Sequence, residues 1–139
     1  MFNMPSDSKW EFAARGGHGS PGNFTFSGSN VATEVAWHAA NTGTTGTGFR
    51  GHEVGMLMPN ALGLYDMSGN IREWVWDLYG TYPSVAQTNP EGVSSGISRV
   101  RRGGQFSSSF EDVRSASRVR VVPYHRTWGV GAGFRLVRP

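Results

Sequence analysis

At 139 residues with 37% hydrophobic content, 20 glycines and modest charge, the chain can bury one core and is not a disordered polymer. It has no cysteine, which excludes disulfides, thiolate metal sites and thiol catalysis in this chain; that suits a reducing compartment without requiring one. The net charge of +3 hides an asymmetry: residues 1–95 carry four Lys/Arg against eight Asp/Glu, and residues 96–139 carry nine Arg against Glu111 and Asp112.

Two readings of that asymmetry compete. A basic half can be a nucleic-acid patch, or the two halves can pair inside the fold. Lys9 is the only lysine. Arginine's planar fork binds carboxylates bidentately and tolerates burial, so internal pairing is the reading adopted, with no nucleic-acid partner expected. No run of about 18 apolar residues is present, so no membrane span is expected. The first residues, Met1-Phe2-Asn3-Met4-Pro5, lack a charged segment and an apolar segment, so no signal peptide is expected.

In chain order, Ser6 is the predicted N-cap of a short helix, with Asp7 in its first turn favouring the helix dipole. The helix runs through Arg15 and is stopped by Gly16-Gly17, with Trp10, Ala13 and Ala14 on one face. Residues 16–30 read as loop anchored by Phe24 and Phe26. Val35-Ala36-Trp37-His38 reads as a short buried segment, and residues 41–48 as an exposed loop. Residues 59–70 read as turns around a brief apolar helix or strand. Residues 71–78 read as a strand whose buried side carries Trp74, Trp76 and Leu78 at period two, with the tryptophans in the core. Residues 80–96 are connection. Residues 100–104 and 133–137 read as two strands able to pair with each other.

Between those last strands neither helical nor strand periodicity accounts for the residues. Arginines 114, 118, 120 and 126 punctuate a mixture of serines, valines and aromatics. Arg114, Arg118, Arg126 and Arg135 are framework candidates, with Glu11, Asp66, Glu73, Asp77 or loop carbonyls as partners. Paired arginines can hold a loop without an apolar core beneath it, whereas an unpaired buried one is costly.

Residues 10–17 (WEFAARGG), Val35-Ala36-Trp37, residues 59–70 (PNALGLYDMSGN), Glu73-Trp74, Arg102-Gly103-Gly104, Arg114-Ser115-Ala116 and Gly133-Phe134-Arg135 resemble, in order and spacing, formylglycine-generating-enzyme-like (sulfatase-modifying-factor) domains. The resemblance covers almost the whole chain. It implies an α+β, C-type-lectin-like fold: a mixed, mostly antiparallel sheet, two short helices and long loops, in a single domain spanning 1–139. The chain departs from the family in two ways. The enzymes use a cysteine pair that is missing here, so oxidase activity does not carry over and no catalytic residue is expected. The usual N-terminal part of the family domain is also missing, as in a minimal version or a fragment.

Within the family, the chain is similar to variable proteins of diversity-generating retroelements. In those proteins a C-terminal stretch is rewritten by copying errors at template adenines, and most of the irregular residues here are reachable from Asn codons by such changes. That resemblance implies a ligand-binding, receptor-type protein with its variable region at about 100–135. Its expected contact residues are Gln105, Ser107, Ser108, Ser109, Phe110, Ser117, Val119, Val121, Val122, Tyr124, His125, Thr127 and Trp128. Phe110 and Trp128 have core packing as their alternative reading. The expected partner is a protein or cell-surface ligand, and the expected location a virion or cell surface.

Other chemistry is weakly represented. His18, His38, His52 and His125 are scattered, with none at i, i+4 spacing, so no metal is expected. Asn60, Asp66 and Asn70 allow calcium, which some family members bind, or Asx turns in a tight loop, the reading adopted here. Two alternatives to the diversified receptor stand: a non-catalytic family domain with a fixed partner, and an enzyme of the wider family using non-cysteine chemistry.

Overall fold

A computed structural model describes residues 1–43, 50–123 and 131–138. The first element, α1, spans Asp7–Ala14, and the Ser6 side chain caps it by accepting from the Lys9 N–H. After a turn of 3₁₀ helix at Gly17–Gly19, a four-residue helix α2 (Ala32–Val35) leads into β1 (Ala36–Trp37). β1 pairs in parallel with β2 (Ser68–Gly69). The main sheet contains β3 (Arg72–Leu78), β4 (Arg99–Arg102), β5 (Arg118–Val121) and β6 (Ala132–Phe134), in the order β5-β4-β3-β6. The β3–β4 and β4–β5 pairs are antiparallel and the β3–β6 pair is parallel. This is the mixed, mostly antiparallel α+β arrangement that the family resemblance implies.

Three expectations need correction. The strands near residues 100 and 133 do not pair with each other, because β3 lies between β4 and β6. Residues 59–70 form turns ending in two-residue β2, with Asn60 as their hub. Its Nδ2 donates to the Ala13 and Ala14 carbonyls and to Ser27 Oγ, and its Oδ1 accepts from Leu62 and Leu64 N–H. The largest correction concerns β3. Its buried side carries Glu73, Val75 and Asp77, whereas Trp74 is half-buried and Trp76 is 61% exposed. Period two was correctly expected, but the side turned to the core is the other one.

The apolar core is small and divided. Trp10, Ala14, Met67, Val75 and Val100 pack between α1 and the inner face of the sheet, while Phe26, Val35, Ala36 and Val113 form a second cluster under α2. Arg101 and Arg102 rank with Trp10 among the largest fully buried side chains. Part of the interior is therefore ionic, and its integrity depends on how the charges are matched.

Candidate functional site

On the inner face, α1 presents Asp7 and Glu11, one turn apart, toward β4. Like charges at that spacing repel unless a cation sits between them, and Arg102 is that cation. Its Nε meets Asp7 Oδ1 at 2.5 Å and its Nη2 meets Glu11 Oε2 at 2.5 Å. Nη1 donates to the carbonyls of Ser115 and Ser117, and Nη2 also donates to the Tyr82 hydroxyl. A guanidinium has five N–H donors, and these contacts use all of them. Burial alone would lower the Arg102 pKa, but Asp7 and Glu11 outweigh it and raise it. Burial likewise works against the Glu11 carboxylate, and hydrogen bonds from Arg102 and Arg15 overcome it, so its pKa is lowered.

Two further arginines complete the framework. Arg118 Nε pairs with Asp7 Oδ2 at 2.7 Å, and its Nη1 donates to the Gly80 carbonyl. Arg135 forks onto Glu73, with Nη2–Oε1 at 2.7 Å and Nε–Oε2 at 2.9 Å, and also donates to the Tyr65 carbonyl. Glu73 Oε2 additionally accepts from the Trp10 indole N–H at 2.7 Å. The acidic and basic halves of the chain do pair inward. Of the framework candidates, Arg135 meets Glu73 as expected, Arg118 meets Asp7 instead of the expected acids, and Arg114 is exposed without an ion pair among the described residues. Arg126 lies outside the described residues.

Asp77 sits beside this network, 3% exposed, accepting the Asp7 backbone N–H at 2.7 Å. Burial, with the Asp7 charge adding to it, raises its pKa above 3.8. A group with a raised folded-state pKa favours folding below its unfolded value and loses that contribution as pH rises through the folded value. Glu11 behaves oppositely. Asp77→Asn is therefore expected to raise the melting temperature near neutral pH, with the gain fading as pH falls through the raised folded-state pKa and gone below the unfolded value of 3.8. Thermal melts of both proteins across that range test this; an equal gain at every pH sinks it. Burial of the Tyr82 hydroxyl pushes its pKa up to about 12, so it remains a donor to Asp7 Oδ2.

The predicted contact residues fall on two elements joined by β4. In the turn after Gly103-Gly104, Gln105 and Ser107 are half-buried and bonded to each other, with Nε2–Oγ at 2.7 Å. Ser109 is exposed and Phe110 is 57% exposed, so the core-packing alternative for Phe110 does not hold. Phe110→Ala is expected to change stability by no more than about 0.5 kcal/mol, as for surface positions generally; a urea titration measures it. On the second element, Ser117, Val119 and Val122 are half-buried.

Two predicted contact residues are corrected by burial. Ser108 is 4% exposed, and its Oγ accepts from Gln105 N and Arg72 Nη2, each at 3.1 Å. It ties the turn to β3. Val121 is 6% exposed, opposite Arg99 in the β4–β5 ladder. Tyr124, His125, Thr127 and Trp128 lie outside the described residues. The flanks of that segment, β5 and β6, are the two edges of the sheet. At the β6 end, a Cβ built on Gly131 would come within 2.8 Å of Gln105 Oε1, so Gly131 itself lies against the first turn.

The outer face of the sheet was missed as a surface. Strand register puts Arg72, Trp74 and Trp76 of β3, Arg99 and Arg101 of β4, Val119 of β5 and Phe134 of β6 on this side. Arg101 lies over the Trp74 ring at 4.8 Å and Arg99 over the Trp76 ring at 5.1 Å. Burial lowers the pKa of both Arg72 and Arg101, with Asp112 partly opposing it at Arg72 and the Arg72 charge adding to it at Arg101. Guanidinium groups stay charged under such shifts. Alternating Arg and Trp along β3 and β4 was the available sequence signal.

A groove of about 520 Å³ adjoins Phe134, lined also by Leu64, Tyr65, Asp66, Glu73 and Arg135 among others, and by none of the predicted contact residues. Asp66 holds the Gly55 N–H there, and Asn70 spans the His52 backbone through both amide atoms. These are turn-forming uses of Asn and Asp side chains.

A short helix locked by arginine–carboxylate pairs onto a small mixed sheet, with long turns leaving both its ends, defines a C-type-lectin-like domain of the formylglycine-generating-enzyme subtype. The chain belongs to the sulfatase-modifying factor enzyme 1-like domain family, whose profile matches residues 2–139. It is 38% identical over 120 residues to a protein named Chaperone protein LppX from Paenibacillus barcinonensis, covering 78% of this chain and 39% of that one. It is 34% identical over 113 residues to the formylglycine-generating enzyme of Mus musculus, covering 74% and 30% respectively. In structure it is similar to Treponema denticola variable protein 1, with a TM-score of 0.81 at 34% identity over 99% of this chain and 48% of that one. The chain spans less than half the length of each of these relatives.

Proposed function

We propose that this is a non-catalytic, ligand-binding variable protein of the diversity-generating-retroelement type. Its contact surface comprises Gln105, Ser107, Ser109, Phe110, Ser117, Val119 and Val122, together with Tyr124, His125, Thr127 and Trp128. The observation that carries this reading is the separation of framework from display. The bonds that tie the turn and β5 to the rest of the fold are made by Arg102, Arg118, Ser108 and backbone carbonyls. The exposed side chains of Ser109 and Phe110 take no part in them. A scaffold whose stability is independent of its displayed side chains is what a diversified site requires, and loops on a rigid framework are where binding function concentrates. Likeness to a variable protein over nearly the full chain supports the reading. So does the absence of cysteine in a family whose enzymes work through a cysteine pair. Phe110, beside serines able to form adaptable hydrogen bonds, has the composition of a paratope.

The test is a library randomised together at the first seven of these contact positions, Gln105 to Val122. Most members should fold, with melting temperatures within a few degrees of the parent, and selection should return binders to protein ligands. General loss of folding overturns the reading. In the gene, a near-copy of the sequence for residues 100–135, Asn-rich where this chain is varied and lying beside a reverse transcriptase, is the expected companion.

A further inference from the structure

We propose that the groove beside β6 binds a small primary amine carrying an apolar ring. None of the contact residues proposed above lines it, so this inference stands independently of the receptor reading. Its volume, about 520 Å³, is that of a small-molecule site. Val54, Leu64, Tyr65, Ile71 and Phe134 supply apolar lining, with Tyr65 41% and Phe134 65% exposed. An apolar group that enters leaves water against these side chains.

Charge selects the ligand's polar end. Asp66, Glu73 and Arg135 are the charged side chains of the lining. Glu73 and Arg135 cancel, because the guanidinium forks onto the carboxylate, which also accepts the Trp10 indole N–H. Asn70 is committed too, since both its amide atoms bond the His52 backbone. Asp66 differs. Its Oδ2 accepts the Gly55 N–H at 2.8 Å, and among the described residues the half-buried carboxylate has no other bond and no cation. Neither Arg50 nor Arg72 lines the groove. One uncompensated negative charge thus sits in an apolar lining that includes two aromatic rings. An ammonium meets that carboxylate with a charge-assisted hydrogen bond, and aromatic faces also attract a cation. An anion would face Asp66 while the guanidinium is held by Glu73. A divalent metal ion needs several oxygen ligands and gains nothing from the rings.

The experiment is isothermal titration calorimetry of the full chain, stripped with EDTA. The titrants are phenethylamine, phenylacetate, an N-acetyl-lysine amide standing for a partner's lysine, and calcium chloride. Phenethylamine should bind, phenylacetate should not, and the lysine derivative, having no ring, should bind about tenfold more weakly. Asp66→Asn removes the charge, yet Asn can still accept from Gly55 and tolerates the φ of +57° at this position. It should weaken phenethylamine about tenfold, and Phe134→Ala should weaken it as well, with melting temperatures near the parent's. If Asp66→Asn fails to fold, Phe134→Ala and the phenylacetate comparison still decide. The proposal is overturned by no phenethylamine binding at about 10 mM, by equal binding of phenylacetate, or by tighter binding of the lysine derivative. Calcium binding that excludes the amine, or a folded variant that binds like the parent, overturns it equally.

Discussion

Replacing Arg102 by Met is expected to cost about 3–5 kcal/mol, because it removes the buried cation shared by buried Asp7 and half-buried Glu11. For a domain of this size that is a fall of roughly 10–20 °C in melting temperature. The effect is large because Arg102 also holds the Ser115 and Ser117 carbonyls. Its loss would free the path into β5 as well as the seat of α1. Arg102→Lys restores one charge but not the five-donor fork, so it should recover only part of the loss. Urea unfolding of the three proteins measures both effects. A loss under about 1 kcal/mol in the Met variant would show that the network is dispensable, as hydrophobic replacement of some buried ion pairs has proved elsewhere.

Gly69→Ala should be comparably damaging for a different reason. Gly69 has φ +78°, where L side chains are strained, and a Cβ there would lie 2.2 Å from the Trp37 carbonyl oxygen and 2.8 Å from the Trp37 nitrogen. Those are backbone atoms of the paired strand, so no rotamer change relieves the clash. Gly69 N also donates to the Gly103 carbonyl at 2.7 Å, linking β2 to the turn that follows β4. Unfavourable φ alone costs about 1–3 kcal/mol, and separation of β1 from β2 adds to it. Ala at exposed Gly43, also at positive φ but with nothing within 4 Å of its Cβ, should show the φ cost alone. Equal melting temperatures for the two variants would refute the steric account.

Much of α1 was legible because helix signals are local. The Ser6 cap, the Trp10/Ala14 face and the glycine stop all act within a turn or two of their own position. Asp7 was legible only in part. Its place in the first turn suited the helix dipole, but its main role is to accept from Arg102 and Tyr82 and to pair with the Arg118 charge. The i, i+4 spacing of Asp7 and Glu11 was the available sign that a buried cation lay opposite. On β3 the period was readable and the direction was not. Trp74 and Trp76 are more hydrophobic than Glu73 and Asp77, so hydrophobicity pointed to the wrong side. Within the contact region, Ser108 and Ser109 are indistinguishable in sequence, yet one ties the turn to Arg72 and the other faces solvent.

The sequence by itself determined the family, through motifs spread along nearly the whole chain, and with it the mixed fold. It also determined that this chain has no thiol for the family's cysteine chemistry and that acids and arginines are segregated between its two parts. Only the tertiary structure decided which strand face is buried, which arginine meets which acid, and which serines and valines remain available for contact. The physical reason is that a strand offers two equivalent faces, and burying a charge becomes tolerable only when its partner arrives. Those partners, Arg102 for Asp7 and Arg135 for Glu73, come from 95 and 62 residues away.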